Sequence, residues 1–192
     1  MTQHLQALML AAGRSQRFGS DKRFHKLQDG TPIISRALYN LQAAVDSVVL
    51  VVAAGETQLF SKLLVANKTP NIVEVAHAGV GMGASLACGI NHIDGDAVLI
   101  TLADMPFIQP TTIEQVAKAL REYPLVVPSY RGKQGHPVGF QRRFFAELAE
   151  LCADEGGKQI VQRHRENVKQ FDVEDPGIVM DIDTSVDLMV HG

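Results

Sequence analysis

Three aspartates could bring metal and phosphate chemistry to this sequence. Asp104 lies in Thr101-Leu102-Ala103-Asp104-Met105-Pro106, just past the apolar run Ala97–Leu102. A carboxylate at the C-terminal end of a buried strand sits where open α/β sheets collect ligands. Mg²⁺ takes one or two such carboxylates together with substrate phosphate oxygens. Asp104 is equally suited to capping the turn that follows. Asp181 and Asp183 stand two apart in Met180-Asp181-Ile182-Asp183-Thr184. On an extended segment both side chains point the same way, and their repulsion invites a bound cation. The alternative is a solvated acidic turn in which Asp183 or Thr184 caps a final helix.

The basic and glycine-rich segments are suited to anions. Leu10-Ala11-Ala12-Gly13-Arg14-Ser15-Gln16-Arg17-Phe18-Gly19 follows the first apolar run directly, with Lys22 and Lys26 downstream. A turn of such small residues lets backbone N–H groups approach a phosphate or a base, and Arg14, Arg17, Lys22 and Lys26 could neutralise a triphosphate. The pattern is neither a P-loop nor GxGxxG, and it also fits an ordinary strand-to-loop turn. Gly81 and Gly83, in Gly79-Val80-Gly81-Met82-Gly83-Ala84-Ser85-Leu86, allow close backbone approach to a flat ligand or an anion. Ser85 falls in the first helical turn, as a ligand contact or a cap. His136, between Gly135 and Pro137, is held on a constrained loop and could donate to a phosphate or a ring, although a lone histidine is also a common structural residue. Gly156-Gly157-Lys158 precedes a helical stretch and reads as an anion contact or a solvated lysine.

The elements that must carry these residues follow from apolar patterning. Leu5–Ala11, Ser47–Val52, Ile72–Ala76, Ala97–Leu102 and Leu125–Pro128 are short, continuously apolar runs, the pattern of strands buried on both faces. Between them, Thr31–Ala44, Gln58–Val65, Gly83–Ile93 and Thr111–Glu122 read as helices. The first carries Ile33, Ile34, Ala37, Leu38 and Leu41 on one face, and Thr111 or Thr112 with Glu114 or Gln115 suggests a capping box. Alternation of strand and helix predicts an α/β fold with a mostly parallel central sheet and helices on both faces, Rossmann-like in layout. Beyond Tyr130 the pattern changes. Gly132–Phe140 is polar and glycine-rich, Arg142–Cys152 and Gly156–Glu166 look helical, Val179–Ile182 reads as a short strand, and Ser185–Val190 as a last helical turn. No linker divides the chain, so residues 1–192 are expected to form one domain.

Composition narrows the class. The chain has 192 residues, 46% hydrophobic and 20% charged, with a net charge of -3. Such a balance argues against a nucleic-acid partner. Cys88 and Cys152 match neither a zinc pattern nor a disulfide framework. The N-terminus has no basic region and its apolar run breaks at Gly13, so no secretory leader is expected. No apolar run approaches the ~20 residues needed to span a bilayer. A cytoplasmic enzyme without a membrane partner is expected.

Taken in order, these segments resemble the nucleotidyltransferases of the glycosyltransferase-A type fold. Leu10-Ala-Ala-Gly-x-Ser-x-Arg-Phe-Gly19 with a downstream lysine is similar to their signature loop. Gly81-Met-Gly-Ala-Ser-Leu86, Asp104-Met-Pro106, Gly135-His-Pro-Val138 and Asp175-Pro-Gly-Ile-Val-Met-Asp-Ile-Asp-Thr184 are similar to motifs of the molybdenum cofactor cytidylyltransferase branch. The resemblance runs from Leu8 to about Leu188. It implies that residues 10–15 hold base and triphosphate, with Arg17 and Lys22 acting on the phosphates as catalytic groups. It implies Asp104 and Asp181 as Mg²⁺ ligands with Asp183 beside them, Gly81, Gly83 and Ser85 lining base or ribose, and His136 facing the acceptor. Lys22 is preferred to Lys26 for the family's lysine because of its distance from Gly19, although Arg23-Phe24-His25 reads as an insertion. Ser185 and Val186 stand where the family has a proline and an acidic residue.

The implied reaction is attack by the acceptor's terminal phosphate on the α-phosphorus of a nucleoside triphosphate, with release of pyrophosphate. Leu-Ala-Ala-Gly resembles enzymes that take CTP more than the guanylyltransferases with Leu-Ala-Gly-Gly, so CTP is the expected nucleotide and GTP the alternative. Molybdopterin is the expected acceptor, with a molybdoenzyme as eventual partner. A sugar phosphate or another metabolite as acceptor, or a non-catalytic molybdopterin carrier, are the competing readings. The carrier would not need the aspartates.

Overall fold

The structure is a computed structural model and describes residues 3–13, 21–63, 69–76, 81–153, 155–184 and 187. Among these, eight strands form one sheet: β1 Leu5–Leu10, β2 Ser47–Ala53, β3 Asn71–Val75, β4 Ala97–Leu102, β5 Leu125–Tyr130, β6 Lys133–Gln134, β7 Val138–Gln141 and β8 Val168–Asp172. The spatial order is β3-β2-β1-β4-β7-β5-β6, with β8 alongside β5. β1 pairs in parallel with β2 and β4, β2 with β3, and β5 with β8, whereas β7 runs antiparallel between β4 and β5. The sheet is therefore mostly parallel, as its apolar runs predict.

Side chains alternate between two apolar layers. Leu5, Ala7 and Met9 pack on one face with Ile34, Leu38 and Leu41 of α1 (Ile33–Gln42) and with Ile113 and Val116 of α4 (Pro110–Ala119). Leu8 and Leu10 pack on the other with Leu86 of α3 (Met82–Ile90), Leu148 of α5 (Phe145–Ala149) and Ile160 of α6 (Gly157–Arg163). The remaining helix, α2, is Thr57–Leu63. The buried face of α1 is the set of five apolar residues that its periodicity selects.

Several local expectations are corrected. Gly132–Phe140, polar and glycine-rich and assigned no element from the sequence, carries strand structure. It contains β6, which is exposed, and most of β7, where Gly139 packs beneath Leu120 and Leu99, so no hydrophobic alternation betrays it. β8 is half exposed, which hides it in the same way. Val179–Ile182 joins no ladder; a 3-10 turn covers Pro176–Val179 and the chain then runs extended. The capping box on α4 does not form. Gln109 is the N-cap residue with no side-chain bond of its own, Pro110 opens the helix, and the Gln109 N–H donates to Asp175 Oδ2 at 2.9 Å. The buried Asp175 carboxylate, 66 residues away in sequence, satisfies that donor instead.

The part of the chain after Asp175 is tied to the segment that follows β4 by close packing. A side chain on Gly177 would meet the Phe107 carbonyl oxygen at 2.2 Å, so only glycine lets the two backbones touch there. Ile182 is buried against Leu27, Ile33 and Phe107, which is worth about 1.5–3 kcal/mol. Its N–H donates to the Asp104 carbonyl at 3.0 Å. Asp181 and Asp183 are thereby carried alongside the end of β4.

Candidate active site

β1 is flanked by β2 on one side and by β4 on the other, so successive connections leave it in opposite directions. A crevice opens at such a switch point, outside the carboxyl ends of the strands. Leu10 and Leu102 are register partners there, and the Ala103 N–H donates to the Leu10 carbonyl at 3.0 Å. The backbone of Ala11, Ala12 and Gly13 therefore lies beside Asp104. Ala12 carries its methyl into the second apolar layer, while Gly13 is exposed, with open space where a side chain would be.

Lys22 joins the aspartates. It sits in the 3-10 turn Lys22–Phe24, and its Nζ lies 2.7 Å from Asp104 Oδ2 and 2.8 Å from Asp183 Oδ1. Burial alone would lower the pKa of this ammonium, but hydrogen bonds and charge from Asp104 and Asp183 outweigh it and hold the value above 10.5. The second oxygen of Asp104, Oδ1, is buried without a hydrogen-bond partner among the described residues. An unsatisfied buried carboxylate oxygen is costly, and here it is available to a further ligand. Asp183 and Thr184 are in turn fixed by Asp187. Its carboxylate accepts from both of their N–H groups, at 3.0 and 2.7 Å, and its own N–H donates to Thr184 Oγ1 at 3.4 Å, the reciprocal bonds of a capping box.

On the other side of the strand ends lies a cavity of about 210 Å³. Its walls are mainly apolar, with Leu10, Leu86, Leu102 and Phe140 among them, and its polar groups include His136, Gln134 and Lys158. His136 is half-buried, and its Nδ1 is 3.3 Å from the Ile100 carbonyl. Nδ1 therefore carries the proton it donates to that carbonyl, assigned from its partner, and Nε2 is left as an acceptor. Burial pushes the imidazole below its ordinary 6.5, against the Ile100 carbonyl and the charges of Asp104 and Asp181. A neutral His136 accepts a hydrogen bond from a ligand rather than donating one.

The family described as "MobA-like NTP transferase domain" matches residues 7–168. The chain belongs to this family. A protein of Bacillus cytotoxicus named "Probable molybdenum cofactor guanylyltransferase" is 24% identical over 157 residues, which cover 81% of this chain and 77% of the relative. The crystal structure of Rv0371c from Mycobacterium tuberculosis superposes with a TM-score of 0.84 at 25% identity, covering 99% of this chain and 97% of the other. A complex of Rv0371C with manganese gives a TM-score of 0.81 at 25% identity, over 98% and 97% of the two chains. The α/β nucleotidyltransferase fold expected from the resemblance is thus the observed one.

Within this MobA-like domain the predicted residues divide. Leu10 to Gly13, Lys22, Asp104 and Asp183 converge at the switch point. Asp181 is exposed, and its charge, with that of Asp104, acts on His136. Lys26 is exposed and its backbone bridges Pro32, so Lys22 is the lysine that reaches the aspartates. Gly81 precedes α3 with φ of 119°, where side chains are strained. Gly83 is buried against a neighbouring loop: a side chain there would meet the Cys152 carbonyl at 2.6 Å. Ser85 is buried within α3. Neither Gly83 nor Ser85 lines the cavity; Met82 and Leu86 do. Arg14, Ser15 and Arg17 lie outside the described residues, as do Gly79, Val80 and Asp154 and most of the stretch 185–190.

Sequence reasoning overlooked Glu56, Gln134 and Asp187. Asp187 had a signal, the Thr-x-x-Asp spacing from Thr184. Gln134 had none, because its place on the cavity depends on β6. Among the described residues no group of three or more His, Cys, Asp or Glu is placed to hold a metal.

Proposed function

We propose that this chain transfers a nucleoside monophosphate from a nucleoside triphosphate, preferentially CTP, to the terminal phosphate of a molybdopterin-type acceptor and releases pyrophosphate. The observation that carries this reading is the meeting of Lys22, Asp104 and Asp183 beside the Ala11–Gly13 backbone at the sheet's switch point. That crevice combines exposed backbone, a fixed cation and an oxygen in need of a ligand, which is what a triphosphate with a divalent cation requires.

Asp104, through its orphaned Oδ1, and Asp183 or Asp181 would hold the cation, taken here as Mg²⁺. Two carboxylates, with no third protein ligand among the described residues, fit Mg²⁺, which completes its shell with phosphate oxygens and water. When bound, the cation offsets negative charge on the reacting phosphates. The small residues Ala11 to Gly13 let the backbone approach the nucleotide, and Lys22 turns from the carboxylates to the phosphates. Arg14 and Arg17 are assigned to the triphosphate on the resemblance alone. The cavity receives the acceptor's ring system, with His136 Nε2 accepting from a ring N–H and Gln134 at the rim. The attacking phosphate is already ionised at neutral pH, so no general base is needed. The residues contribute alignment and charge neutralisation.

Two observations bear on the base. Leu10-Ala11-Ala12-Gly13 resembles the loop of CTP-using enzymes. The name of the Bacillus cytotoxicus relative favours the second reading, guanylyl transfer to the same acceptor. Pyrophosphate release measured with Mg²⁺ and each of CTP, GTP, ATP and UTP, with molybdopterin cofactor present, separates them. Release that requires CTP and cofactor is the expected result. Release only with GTP would replace the nucleotide, and release only with a sugar phosphate would replace the acceptor. Pterin binding without release from any pair would leave a carrier.

A further inference from the structure

We propose that Arg23 is a positioning residue for the nucleotide: it sets the direction of the Ala12 N–H and, through its own turn, aims Lys22 at the strand ends. This rests on the nucleotidyl-transfer reading of the crevice.

Arg23 is one of the few charged residues that the fold buries, at 6% exposure. Its guanidinium uses all five of its N–H donors. Nε and Nη2 donate to the two oxygens of Asp21, Nη1 and Nη2 to the two oxygens of Glu56, and the second Nη1 proton to the Ala11 carbonyl. Its face lies 4.9 Å from the centroid of the buried Phe60 ring. A guanidinium so desolvated is no cheap way to fill space, since apolar residues of similar volume are often equally or more stabilising. What it does that they cannot is join three segments through directed bonds.

Each segment belongs to the crevice. The Ala11 N–H already donates to the Val51 carbonyl at 2.8 Å. With its carbonyl also held by Arg23, the peptide unit after Ala11 is fixed in rotation. A trans peptide carries its C=O and the following N–H on opposite sides of one plane, so the Ala12 N–H faces away from the guanidinium. Glu56 also accepts from the Ala53 N–H at 3.1 Å, at the end of β2. Asp21 accepts from the Arg23 N–H at 3.1 Å and so closes the 3-10 turn in which Lys22 projects the other way. One side chain therefore sets the nucleotide loop, the end of β2 and the lysine relative to one another. Lysine at this position would keep the charge but lose the fork that reaches all three.

The test uses the full chain with Arg23→Lys, Arg23→Gln and Glu56→Gln. Amide hydrogen exchange of the ligand-free protein is read at Ala11, whose N–H is bonded to the Val51 carbonyl, with Val98–Ile100 in β4 as the internal control. Dissociation constants for CTP and GTP with Mg²⁺ are measured by calorimetry. In Arg23→Lys, exchange at Ala11 should accelerate, and the nucleotide that the wild type binds should bind more weakly, by about tenfold or more each, while β4 is unchanged. Glu56→Gln should shift both in the same direction. If Arg23→Gln fails to fold, the other two variants carry the comparison. Unchanged exchange and unchanged nucleotide affinity in Arg23→Lys would overturn the inference, as would equal acceleration at β4, which would mean a general loss of stability. A wild-type protein that binds neither nucleotide would remove the functional reading instead, and the exchange data alone would then decide whether Arg23 anchors the loop.

Discussion

Replacing Lys22 by alanine tests the charge balance at the strand ends. The ammonium lies within 2.8 Å of both Asp104 and Asp183, and the lysine and Asp104 side chains are only 13% and 20% exposed. Without it, two carboxylates share the space and Asp104 Oδ2 loses its ammonium partner, as Oδ1 already lacks one. Removing one partner of a fully buried pair costs about 3–5 kcal/mol. Asp183 is 45% exposed and stays largely hydrated, which reduces the expected loss to about 2 kcal/mol, the cost of one unsatisfied buried group. For a chain of this length that lowers Tm by about 4–8 °C. A divalent cation that takes up the freed carboxylates stabilises the folded state by about 2.7 kcal/mol at a hundred times its Kd. Lys22→Ala should therefore be clearly less stable than the wild type in EDTA and recover most of the difference in excess Mg²⁺. The wild type, whose carboxylates already hold an ammonium, should gain less. Thermal unfolding followed by circular dichroism, in EDTA and across a Mg²⁺ series, reads both quantities. Equal stability in EDTA, or an equal gain with Mg²⁺, would refute the idea that Lys22 and the cation answer to the same carboxylates.

Asp104→Ala should abolish pyrophosphate release while changing the circular dichroism spectrum little; retained turnover would remove Asp104 from the cation site. Gly177→Ala must push back the Phe107 carbonyl, which a side chain would meet at 2.2 Å, so denaturant unfolding should show a loss of about 1–3 kcal/mol. His136 has a pH signature. Its folded-state value lies below 6.5 because of burial, so the unfolded chain takes up a proton near 6.5 that the folded chain refuses until lower pH, and stability falls as pH drops below 6.5. Denaturation curves between about pH 7.5 and 5 should show a shallower decline in His136→Gln than in the wild type, and parallel declines would place the imidazole in water.

Much of this protein is legible in the sequence because the information is local. The five short, continuously apolar runs are strands, since a sheet covered on both faces accommodates such continuous hydrophobicity, and α1 buries the residues its period selects. The position of Asp104 past the end of a parallel strand was likewise readable, because strand ends and ligand crevices coincide in open α/β sheets. Other features depended on residues distant along the chain. The sequence leaves Lys22 and Lys26 as rivals, and the fold separates them by turning one toward Asp183, 161 residues away, and leaving the other exposed. The repulsion between acidic residues suggested a bound cation, and tertiary packing places an ammonium from the chain itself against Asp104 and Asp183. Gly83 looked like a ligand-facing glycine, yet it is buried against Cys152, because a glycine's pattern is the same whether backbone or substrate comes close. Arg23 read as an insertion. Its five bonds need Asp21 next to it, Ala11 at the end of β1 and Glu56 after β2, and only the folded sheet brings those three together. Local pattern determined the elements and the strand ends; the pairing of charges across them was decided by tertiary structure, because such pairing carries no periodicity along the chain.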